Sequence, residues 1–446
     1  MAATVLWVRR DLRLRDHPAL REAAAAGGKV LPLFVLDPRL ADEATPRLDH
    51  LLASLRSLDD AMDGALVVRR GRPEQVVAQV AREAGADSVH ATAESTPYGR
   101  ARDERVRRRL ERDGRSLVAT GTPYAVGPGT LLKADGTAYQ VFTPFSKAWR
   151  DHGWPGPAPM PRGLRWARTV DSAGIPDGRD VEGAGEESAR RRWKRFLHQH
   201  LGDYDAERDR PDLDTTSRMS VPLKFGELHP RTLLADIAAH EAARSQAART
   251  FVSELCWREF YADVMWHHPR SAWADLKPAL SSMEYAEPGA GLEAWRKGET
   301  GYPMVDAGMR QLLTEGWMHN RVRMITASFL VKDLHIWWPH GARHFLAHLR
   351  DGDIASNSHG WQWVAGTGTD AAPYFRVFNP VTQGLKFDPD GEYVRRWVPE
   401  LRHLSGRAAH EPWGQDDGYA EGYPERIVDH RAEREEALRR YQAARG

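Results

Sequence analysis

Carboxylate, amide and indole side chains are concentrated in one short stretch, DGDIASNSHGWQW, at residues 351–363. If this stretch is helical, Asp353, Asn357 and Trp361 recur every four residues and share one face, with Asp351 at its beginning. Such a face could hold a polar, partly aromatic ligand. A capped helix that packs its tryptophans would explain the same residues, and the stretch alone does not decide between the two interpretations.

Metal chemistry is not predicted. DGD resembles the beginning of an EF-hand calcium loop, but that loop needs glycine at its sixth position and glutamate at its twelfth, where this chain has Ser356 and Gln362. His267 and His268 are adjacent, so their side chains do not face one ion together. The motifs GxSxG and HExxH and the Walker loop are missing from the sequence, so ordinary hydrolase chemistry has no visible carrier.

A second constellation lies in ELCWREFY, residues 254–261. On a helix, Glu254, Trp257, Arg258 and Tyr261 form one stripe. An acid, an indole and a guanidinium on one face suit a pocket that stacks a base, hydrogen-bonds it and holds its phosphate. The simpler interpretation, which the stripe alone favours, is an amphipathic helix with an internal salt bridge.

Two shorter motifs could add to such a site. In WMHNRVRM, residues 317–324, Asn320, Arg323 and Met324 share a helical face. In TTSRMS, residues 215–220, hydroxyls and backbone N–H groups before a helical segment could bind phosphate, although short hydroxyl runs are common in loops.

The elements that must position these residues change along the chain. Residues 4–122 alternate between β-rich runs and helical patterns, which predicts an α/β domain with a doubly wound parallel sheet, and no GxGxxG follows the first run. From about residue 188 onward, apolar residues recur at helical spacing. The predicted strands are TVLWV at 4–8, VLPLFVL at 30–36, ALVV at 65–68, SVHAT at 88–92 and SLVAT at 116–120.

Proline and glycine separate these two regions. They are dense at residues 153–187, where periodicity is lost, as is typical of a linker. We therefore predict an α/β domain at residues 1–125, an interdomain linker at 126–187 and an all-α domain at 188–446.

Charge and cysteine content limit the classes of protein. The net charge is +1, from 63 basic and 62 acidic residues, so any nucleic-acid site would have to be a local patch. The chain has two arginine-rich runs. The run at 105–115 contains interleaved acidic residues, so we interpret it as a solvated helix face. For the run at 190–196, both a solvated face and a nucleic-acid surface stay possible interpretations. The sequence has one cysteine, Cys256, which can form no intrachain disulfide and so predicts a cytoplasmic protein. No apolar run reaches membrane-spanning length, so we predict no membrane binding. We also expect a monomer.

The motifs taken together resemble those of a known family. TSRMS, ELCWREFY, GYPMVDAGMRQL, WMHNRVRM and DGDIASNSHGWQWVAGTGTDAAPYFRVFNP, in that order, are similar to the photolyase/cryptochrome family, and most similar to its class I cyclobutane pyrimidine dimer photolyases. WVRRDLRLRDHPAL resembles the opening strand of that family, and the likeness extends from about residue 5 to 428. It implies an α/β antenna domain, a long linker and a helical domain that buries a U-shaped FAD.

The resemblance assigns the flavin contacts residue by residue. Asp351 and Asp353 would contact the ribose and isoalloxazine regions, Asn357 would face ring nitrogen N5, and Arg323 would pair with Asp351. The other cofactor contacts that the resemblance implies are Tyr204, Thr216, Ser217, Met219, Ser220, Phe251, Arg258 and Asn320.

The implied activity is light-dependent repair of pyrimidine dimers in UV-damaged DNA. The dimer would be flipped out of the duplex, Trp257 would stack on it, and Glu254 would hydrogen-bond it and stabilise its radical anion. The remaining lesion or DNA contacts that the resemblance implies are Asn320, Met324, Arg258, Tyr261, Arg321 and Gln383.

An electron relay to the flavin is also implied. Trp361 and Trp338 match its inner members, and ten residues before Trp295, where relatives place an outer indole, this chain has Tyr285. Packing at a helix end would explain Tyr285 as well, and Trp273 or Tyr302 would be the next candidates for the outer donor.

An antenna chromophore is implied near Arg47, Tyr98, Gly99 and Arg100. Folate-binding members carry Asn-Glu where this chain has Tyr98 and Gly99, and ESTPYGRARD and TPRLDHLL look more like the deazaflavin-binding branch. We expect 8-hydroxy-5-deazaflavin, with methenyltetrahydrofolate or an empty antenna site as the alternatives.

Two other functions compete with repair. The first is a cryptochrome-type blue-light photoreceptor. Two features argue against it: Asn357 is the photolyase-like residue at a position where plant-type sensors tend to carry aspartate, and the chain ends soon after the helical domain, without a long tail. The second is a flavin-dependent oxidoreductase, which would need a nicotinamide site, and the missing glycine fingerprint argues against one.

Overall fold

The structure is a computed structural model that describes residues 3–41, 44–179, 181–277, 280, 282–370 and 376–444. It contains two compact units. The first comprises Met1–Tyr139, Thr143–Gly202 and Ser217–His267, and the second Gln140–Phe142, Asp203–Thr216 and His268–Gly446. These units are defined by compactness, and the helices between 220 and 267 belong to the same unit as the α/β part. The division at residues 125 and 187 is based on a different criterion, the change of sequence pattern, and it stays a prediction.

A parallel sheet organises the α/β part of the first unit. Its strands are β1 Ala3–Val8, β2 Lys29–Leu36, β3 Val67–Arg70, β4 Ser88–Ala91 and β5 Ser116–Ala119. They lie in the order β3-β2-β1-β4-β5, so β1 is central, and all of its residues are buried, as a strand covered on both faces requires. All five predicted strands are present, with β3 beginning two residues later than predicted. The α/β fold class of this part is confirmed.

Helices make up the rest of the regular structure, and many begin with proline, whose fixed φ suits the first turn. The first eleven α-helices are α1 Pro18–Gly27, α2 Pro38–Ala41, α3 Pro46–Ala61, α4 Pro73–Glu83, α5 Pro97–Arg112, α6 Phe142–His152, α7 Glu186–Gln199, α8 Tyr204–Glu207, α9 Ser220–Phe225, α10 Pro230–Ala239 and α11 Gln246–His267. They are followed by α12 Ala290–Lys297, α13 Pro303–Glu315, α14 Asn320–Ser328, α15 Trp338–His348, α16 Ile354–Ala365, α17 Pro380–Phe387, α18 Glu392–Trp397, α19 Arg407–His410 and α20 His430–Ala443. Short 3-10 helices lie at Pro269–Ala272, Pro399–Leu401 and Pro412–Gly414, and a π-helical turn at Phe329–Asp333.

The stretch predicted as a linker contains one helix, α6. Beyond it, the described residues between 153 and 185 form neither α-helix nor strand, in agreement with the loss of periodicity in the sequence. The linker is nevertheless attached to the sheet, since Ala167 N–H donates to the Val30 carbonyl of β2 at 2.8 Å.

The second unit has a helical core. No described residue from 188 onward lies in a strand, which confirms the all-α prediction for this part of the chain. Trp295, Trp338 and Trp361 are all buried in this core, so packing accounts for part of the high tryptophan content. The π-helical turn after α14 is fully buried as well.

The turn after α9 allows a direct test of the fold. Gly226 has φ 69°, and a Cβ atom there would lie 2.0 Å from the backbone oxygen of Arg10. We expect Gly226→Ala to lower the free energy of unfolding by more than about 3 kcal/mol, because backbone would have to move. Gly85→Ala is the matched control: its φ is 60°, nothing lies within 4 Å of the added Cβ, and only about 1 kcal/mol of conformational strain is expected. Urea unfolding of both variants measures the difference, and equal losses would contradict the close approach.

Candidate active site

The stretch at residues 351–363 forms a capped helix. Asp353 is the N-cap of α16, and its Oδ1 accepts hydrogen bonds from the N–H groups of Ala355 and Ser356, both at 3.1 Å. One turn later, Asn357 donates Nδ2–H to the Ala342 carbonyl at 3.0 Å, which leaves its amide oxygen as an acceptor. The capping interpretation is therefore correct for Asp353.

Asp351 lies in the turn before α16 and is half satisfied. Its Oδ2 accepts a hydrogen bond from the Arg323 guanidinium at 2.8 Å, so the predicted pairing is present. Arg323 is held in place because Nε donates to the Met318 carbonyl at 2.8 Å. The other oxygen, Oδ1, is buried and has no hydrogen-bond partner among the described residues. A buried carboxylate oxygen left unpaired is costly, so this atom is suited to a ligand hydroxyl or N–H group.

Aromatic rings surround the far end of α16. Trp361 is buried, and its Nε1–H has no hydrogen-bond partner among the described residues. Its ring lies edge-on to Phe345 and Trp295, with centroid distances of 5.0 and 6.0 Å. Sequence reasoning used Trp295 only as a counting reference and missed this contact, because 66 residues separate the two indoles and no periodicity links them.

The other predicted relay residues are connected through one carboxylate. Trp338 is fully buried and donates Nε1–H to Asp275 at 2.6 Å. Burial, and then the charge of Asp275, raises the pKa of Tyr285, whose hydroxyl is buried without a hydrogen-bond partner in the described part of the chain. Tyr285 and Trp338 thus share an electrostatic neighbour.

The alternative outer donors have different surroundings. Trp273 is 38% exposed, and the Arg343 guanidinium lies 5.0 Å from its ring centroid, where a cation disfavours the removal of an electron. Tyr302 is fully buried and donates its hydroxyl to the Val428 carbonyl at 2.9 Å. Tyr285 as the outer donor stays a prediction, with Trp273 and Tyr302 as the alternatives.

The helix α14 carries the predicted lesion residues of the second unit. Asn320 is exposed at its first turn, and Met324 is half-buried one turn later. Arg321 is ion-paired with Asp209 at 2.6 Å and covers the ring of Phe387 at 4.5 Å, so it is less available to DNA than predicted. Gln383 is half-buried on α17.

The hydroxyl-rich turn at residues 215–220 precedes α9, as predicted, and it spans the boundary between the two units. In the second unit, the hydroxyls of Thr215 and Thr216 are buried without hydrogen-bond partners among the described residues, and Tyr204 is half-buried at the start of α8. In the first unit, Ser217 accepts from Met219 N–H at 3.3 Å. The remaining member, Ser220, is exposed at the first position of α9.

The helix α11 of the first unit presents the predicted stripe. Glu254, Trp257 and Tyr261 are all half-buried, and the rings of Trp257 and Tyr261 lie 5.4 Å apart. The opposite face is anchored by Glu259, which is fully buried and accepts hydrogen bonds from three successive backbone N–H groups at residues 125–127 and from the Trp149 indole. Desolvation still raises the pKa of Glu259. This clamp fixes the stripe on the exposed side of α11.

Arg258 is held by groups of the first unit. Its guanidinium donates to the carbonyls of Pro123 and Leu223, both at 3.1 Å, and covers the ring of Tyr124 at 4.4 Å. Its assignment to the cofactor or the lesion stays a prediction. The helical period could place Arg258 on the stripe but could not show these long-range partners.

Phe251, at the beginning of the same helix, is buried in an aromatic cluster. Its ring centroid lies 5.3 Å from that of Trp193 and 5.1 Å from that of Phe196, both on α7. It is therefore primarily a packing residue of the first unit.

The predicted antenna residues lie at the carboxyl side of the sheet, where ligands of open α/β folds bind. Tyr98 donates its hydroxyl to Asp37, directly after β2, and its pKa is raised by burial and by this hydrogen bond. A Cβ at Gly99 would lie 1.9 Å from Glu94 Cγ, so glycine is required there. Arg100 instead covers the Trp266 ring at 3.7 Å, and Arg47 is half-buried in the first turn of α3.

The described residues contain no helix long and apolar enough to cross a membrane. Within the same residues, no group of three or more histidine, cysteine, aspartate or glutamate side chains could hold a metal ion.

A doubly wound α/β sheet, followed by helices that bury an unsatisfied aspartate oxygen and the indoles of Trp295, Trp338 and Trp361, agrees with the photolyase- or cryptochrome-type architecture that the motifs imply. Comparison with known families agrees with this class. The model described as DNA photolyase matches residues 4–162, and the one described as FAD binding domain of DNA photolyase matches residues 251–443. The chain belongs to the DNA photolyase family.

Individual relatives cover the chain from end to end. It is 40% identical to the deoxyribodipyrimidine photo-lyase of Streptomyces griseus over 100% of both chains, and 39% identical to that of Escherichia coli over 100% of this chain and 99% of the relative. A class III photolyase from Agrobacterium tumefaciens has a similar solved structure, with a TM-score of 0.89, 34% identity and coverage of 100% and 98%. A cryptochrome from Synechocystis gives a TM-score of 0.90 at 28% identity, with 98% of each chain covered.

The ion pair before α16 generates a stability prediction. Arg323→Met would leave the buried Asp351 carboxylate without its cation, and we expect the free energy of unfolding in urea to fall by about 3 kcal/mol. Arg323→Met combined with Asp351→Asn should recover part of this loss, because a neutral amide is cheaper to bury. Arg296→Met, which breaks the exposed pair with Glu293, is the control and should cost less than about 1 kcal/mol. A loss for Arg323→Met no larger than that of the control would contradict the buried pair.

Proposed function

We propose that this protein repairs cyclobutane pyrimidine dimers in UV-damaged DNA by light-driven electron transfer, with FAD as the cofactor. Family membership over both parts of the chain supports this function. Among the residues, the observation that carries the proposal is the buried, unpartnered Oδ1 of Asp351, whose other oxygen is bound by Arg323, in the turn before the helix that carries Asn357.

The second unit would hold the flavin through residues that fit its functional groups. Asp351 Oδ1 would accept from a ribityl or ribose hydroxyl, while its Oδ2 stays bound to Arg323. The free oxygen of Asn357 would accept from the N–H group at N5, because its Nδ2 is already bound to Ala342. The buried hydroxyls of Thr215 and Thr216 would donate to phosphate oxygens. Bound and reduced, FAD supplies the photoexcited electron that splits the cyclobutane ring and receives that electron back.

The first unit would contribute the lesion-stacking surface. Trp257 offers an indole face beside Tyr261, and Glu254 on the same stripe would hydrogen-bond the flipped dimer. The protein needs to move no proton permanently, since the electron returns after the ring has opened. Rigid placement is therefore the main task of α11, and the Glu259 clamp supplies it.

For the antenna, we propose 8-hydroxy-5-deazaflavin. The support is the sequence likeness of ESTPYGRARD and TPRLDHLL together with the position of Tyr98 and Gly99 at the carboxyl side of the sheet. Methenyltetrahydrofolate or an empty site remain the alternatives. The absorption spectrum of the purified protein separates the three, because flavin, deazaflavin and folate absorb at different wavelengths.

We further propose that the protein acts as a monomer in the cytoplasm. A single cysteine, Cys256, can form no intrachain disulfide, which suits a reducing compartment. A cryptochrome-type photoreceptor is the second candidate function, and the structural similarity to a cryptochrome favours keeping it in the test. No observation on these residues favours the flavin-dependent oxidoreductase.

The repair assay tests the function directly. The reduced protein should restore dimer-containing DNA under blue light and not in the dark. Trp257→Ala should weaken dimer binding by about 1–3 kcal/mol, the range for loss of one stacked base. Trp266→Ala, on the same helix but covered by Arg100, is the matched control and should bind the dimer as the parent does. Full, reduced FAD without repair would reassign the protein to the photoreceptors.

The outer electron donor is tested by Tyr285→Phe, which keeps the ring and removes the phenol. Photoreduction of oxidised FAD should slow, because Tyr285 could no longer reduce Trp338, while repair by chemically reduced enzyme should stay near normal. Trp338→Phe is the reference that should block the relay. Unchanged photoreduction in Tyr285→Phe together with a block in Trp338→Phe would assign the outer donor elsewhere, with Trp273 and Tyr302 next to test.

A further inference from the structure

The arginine run at residues 190–196 forms a surface that the proposed repair site does not use. On α7, the apolar side chains Ala189, Trp193, Phe196 and Leu197 are buried. The opposite side carries Arg191, Lys194, Arg195 and His198, all exposed. Their spacing of three and four residues makes one continuous stripe along the helix, which we call the α7 basic stripe.

Packing directs this stripe away from the stripe of α11. The buried side of α7 contacts α11 through Trp193 and Phe196, whose rings meet Phe251 at 5.3 and 5.1 Å. Trp193 also donates Nε1–H to Asp236 at 2.9 Å, which fixes the rotation of α7 about its axis. The α7 basic stripe is therefore a second surface of the first unit, separate from Glu254 and Trp257.

The stripe is unusual because its charges are not neutralised. On α5, which has seven arginines among its 16 residues, Arg107 and Arg108 pair with Glu104 at 2.6 and 2.7 Å, and Arg109 pairs with Asp113. In contrast, Arg191, Lys194 and Arg195 form no ion pair with any described residue, and Arg191 contacts only the Ser188 hydroxyl. The two arginine-rich helices thus differ in whether their exposed cations are ion-paired.

Neighbouring elements enlarge the positive region. His240, after α10, lies near His198, with 6.2 Å between ring centroids. Arg244 and Arg249, which follow in the sequence, are exposed, and the Arg249 guanidinium donates to Gln246 and to the Arg244 carbonyl rather than to a carboxylate. The exposed acids of the same region are Asp236 and Glu241. Because the whole chain has a net charge of only +1, this is a concentrated local patch.

We propose that the α7 basic stripe binds the phosphate backbone of duplex DNA outside the segment that carries the lesion. Residues 191–198 span about 10 Å of helix, which matches about three phosphates of one strand at 3.4 Å each. The exposed positions of α7 hold no apolar side chain that could insert into a membrane, so the stripe favours a hydrated polyanion. This proposal rests on the proposed function, which makes DNA the substrate.

The test compares two triple variants that remove the same formal charge. Arg191→Gln/Lys194→Gln/Arg195→Gln removes the unpaired cations, and Arg107→Gln/Arg108→Gln/Arg109→Gln removes paired ones. Dissociation constants for a long undamaged duplex are measured from about 50 to about 200 mM salt. For the α7 variant, the slope of log K against log salt should become shallower by about 2.7, and affinity should fall at least about tenfold. The α5 variant should change the slope by less than about 1.

The remaining arms separate the possible outcomes. Repair of a short, dimer-containing duplex at saturating concentration should stay within about twofold of the parent in both variants. Equal slopes of log K against log salt in the α7 variant and the parent would overturn the proposal. Binding to anionic vesicles is measured in parallel, and a variant that loses vesicle binding but keeps the DNA slope would also overturn it. If the parent repairs no dimers but its salt slope for DNA binding still becomes shallower in the α7 variant, the repair function is overturned and DNA binding by the α7 basic stripe is supported. If the triple variant folds poorly, the single variant Lys194→Gln should still change the slope by about 0.9.

Discussion

A carboxylate removed from water must be met by hydrogen-bond donors or by a cation, and this constraint organises both units. In the first unit, Glu259 gathers the backbone of residues 125–127 and the Trp149 indole around one buried charge. In the second, Asp306 accepts from the N–H groups of Thr300 and Gly301, and Tyr423 donates its hydroxyl to it. Each of these carboxylates ties together segments that are distant in the sequence or turn sharply.

Asp351 is only partly satisfied. Its Oδ2 is bound by Arg323, but Oδ1 is buried without a partner among the described residues. Glu227, Asp263 and Asp333 each keep one such oxygen as well, so the unpaired atom of Asp351 indicates a ligand only together with the flavin contacts that the family resemblance assigns around it. The same argument applies to the Thr215 and Thr216 hydroxyls, which lie in a different segment of the same unit. Function here is indicated by missing hydrogen bonds as much as by those that are formed.

Arginine shows how context decides the role of a residue type. Arg258 is a structural clamp on two carbonyls, Arg323 neutralises a buried acid, and Arg107 belongs to an ion-paired surface helix. Arg191 has none of these partners and is left for an external anion. The balanced net charge of the chain conceals this division, because it sums paired and unpaired cations alike.

The sequence by itself determined the fold class, the five strands, the helical second half and the family, because alternating apolar periods and long ordered motifs are local signals. It also placed Asp353 and Asn357 on α16 and paired Asp351 with Arg323 through the resemblance. Only the tertiary structure decided that Arg258 binds backbone, that Trp295 touches Trp361 and that the α7 cations are unpaired. Those facts depend on which distant groups meet in space, and helical spacing reports the face of a residue but not what packs against it.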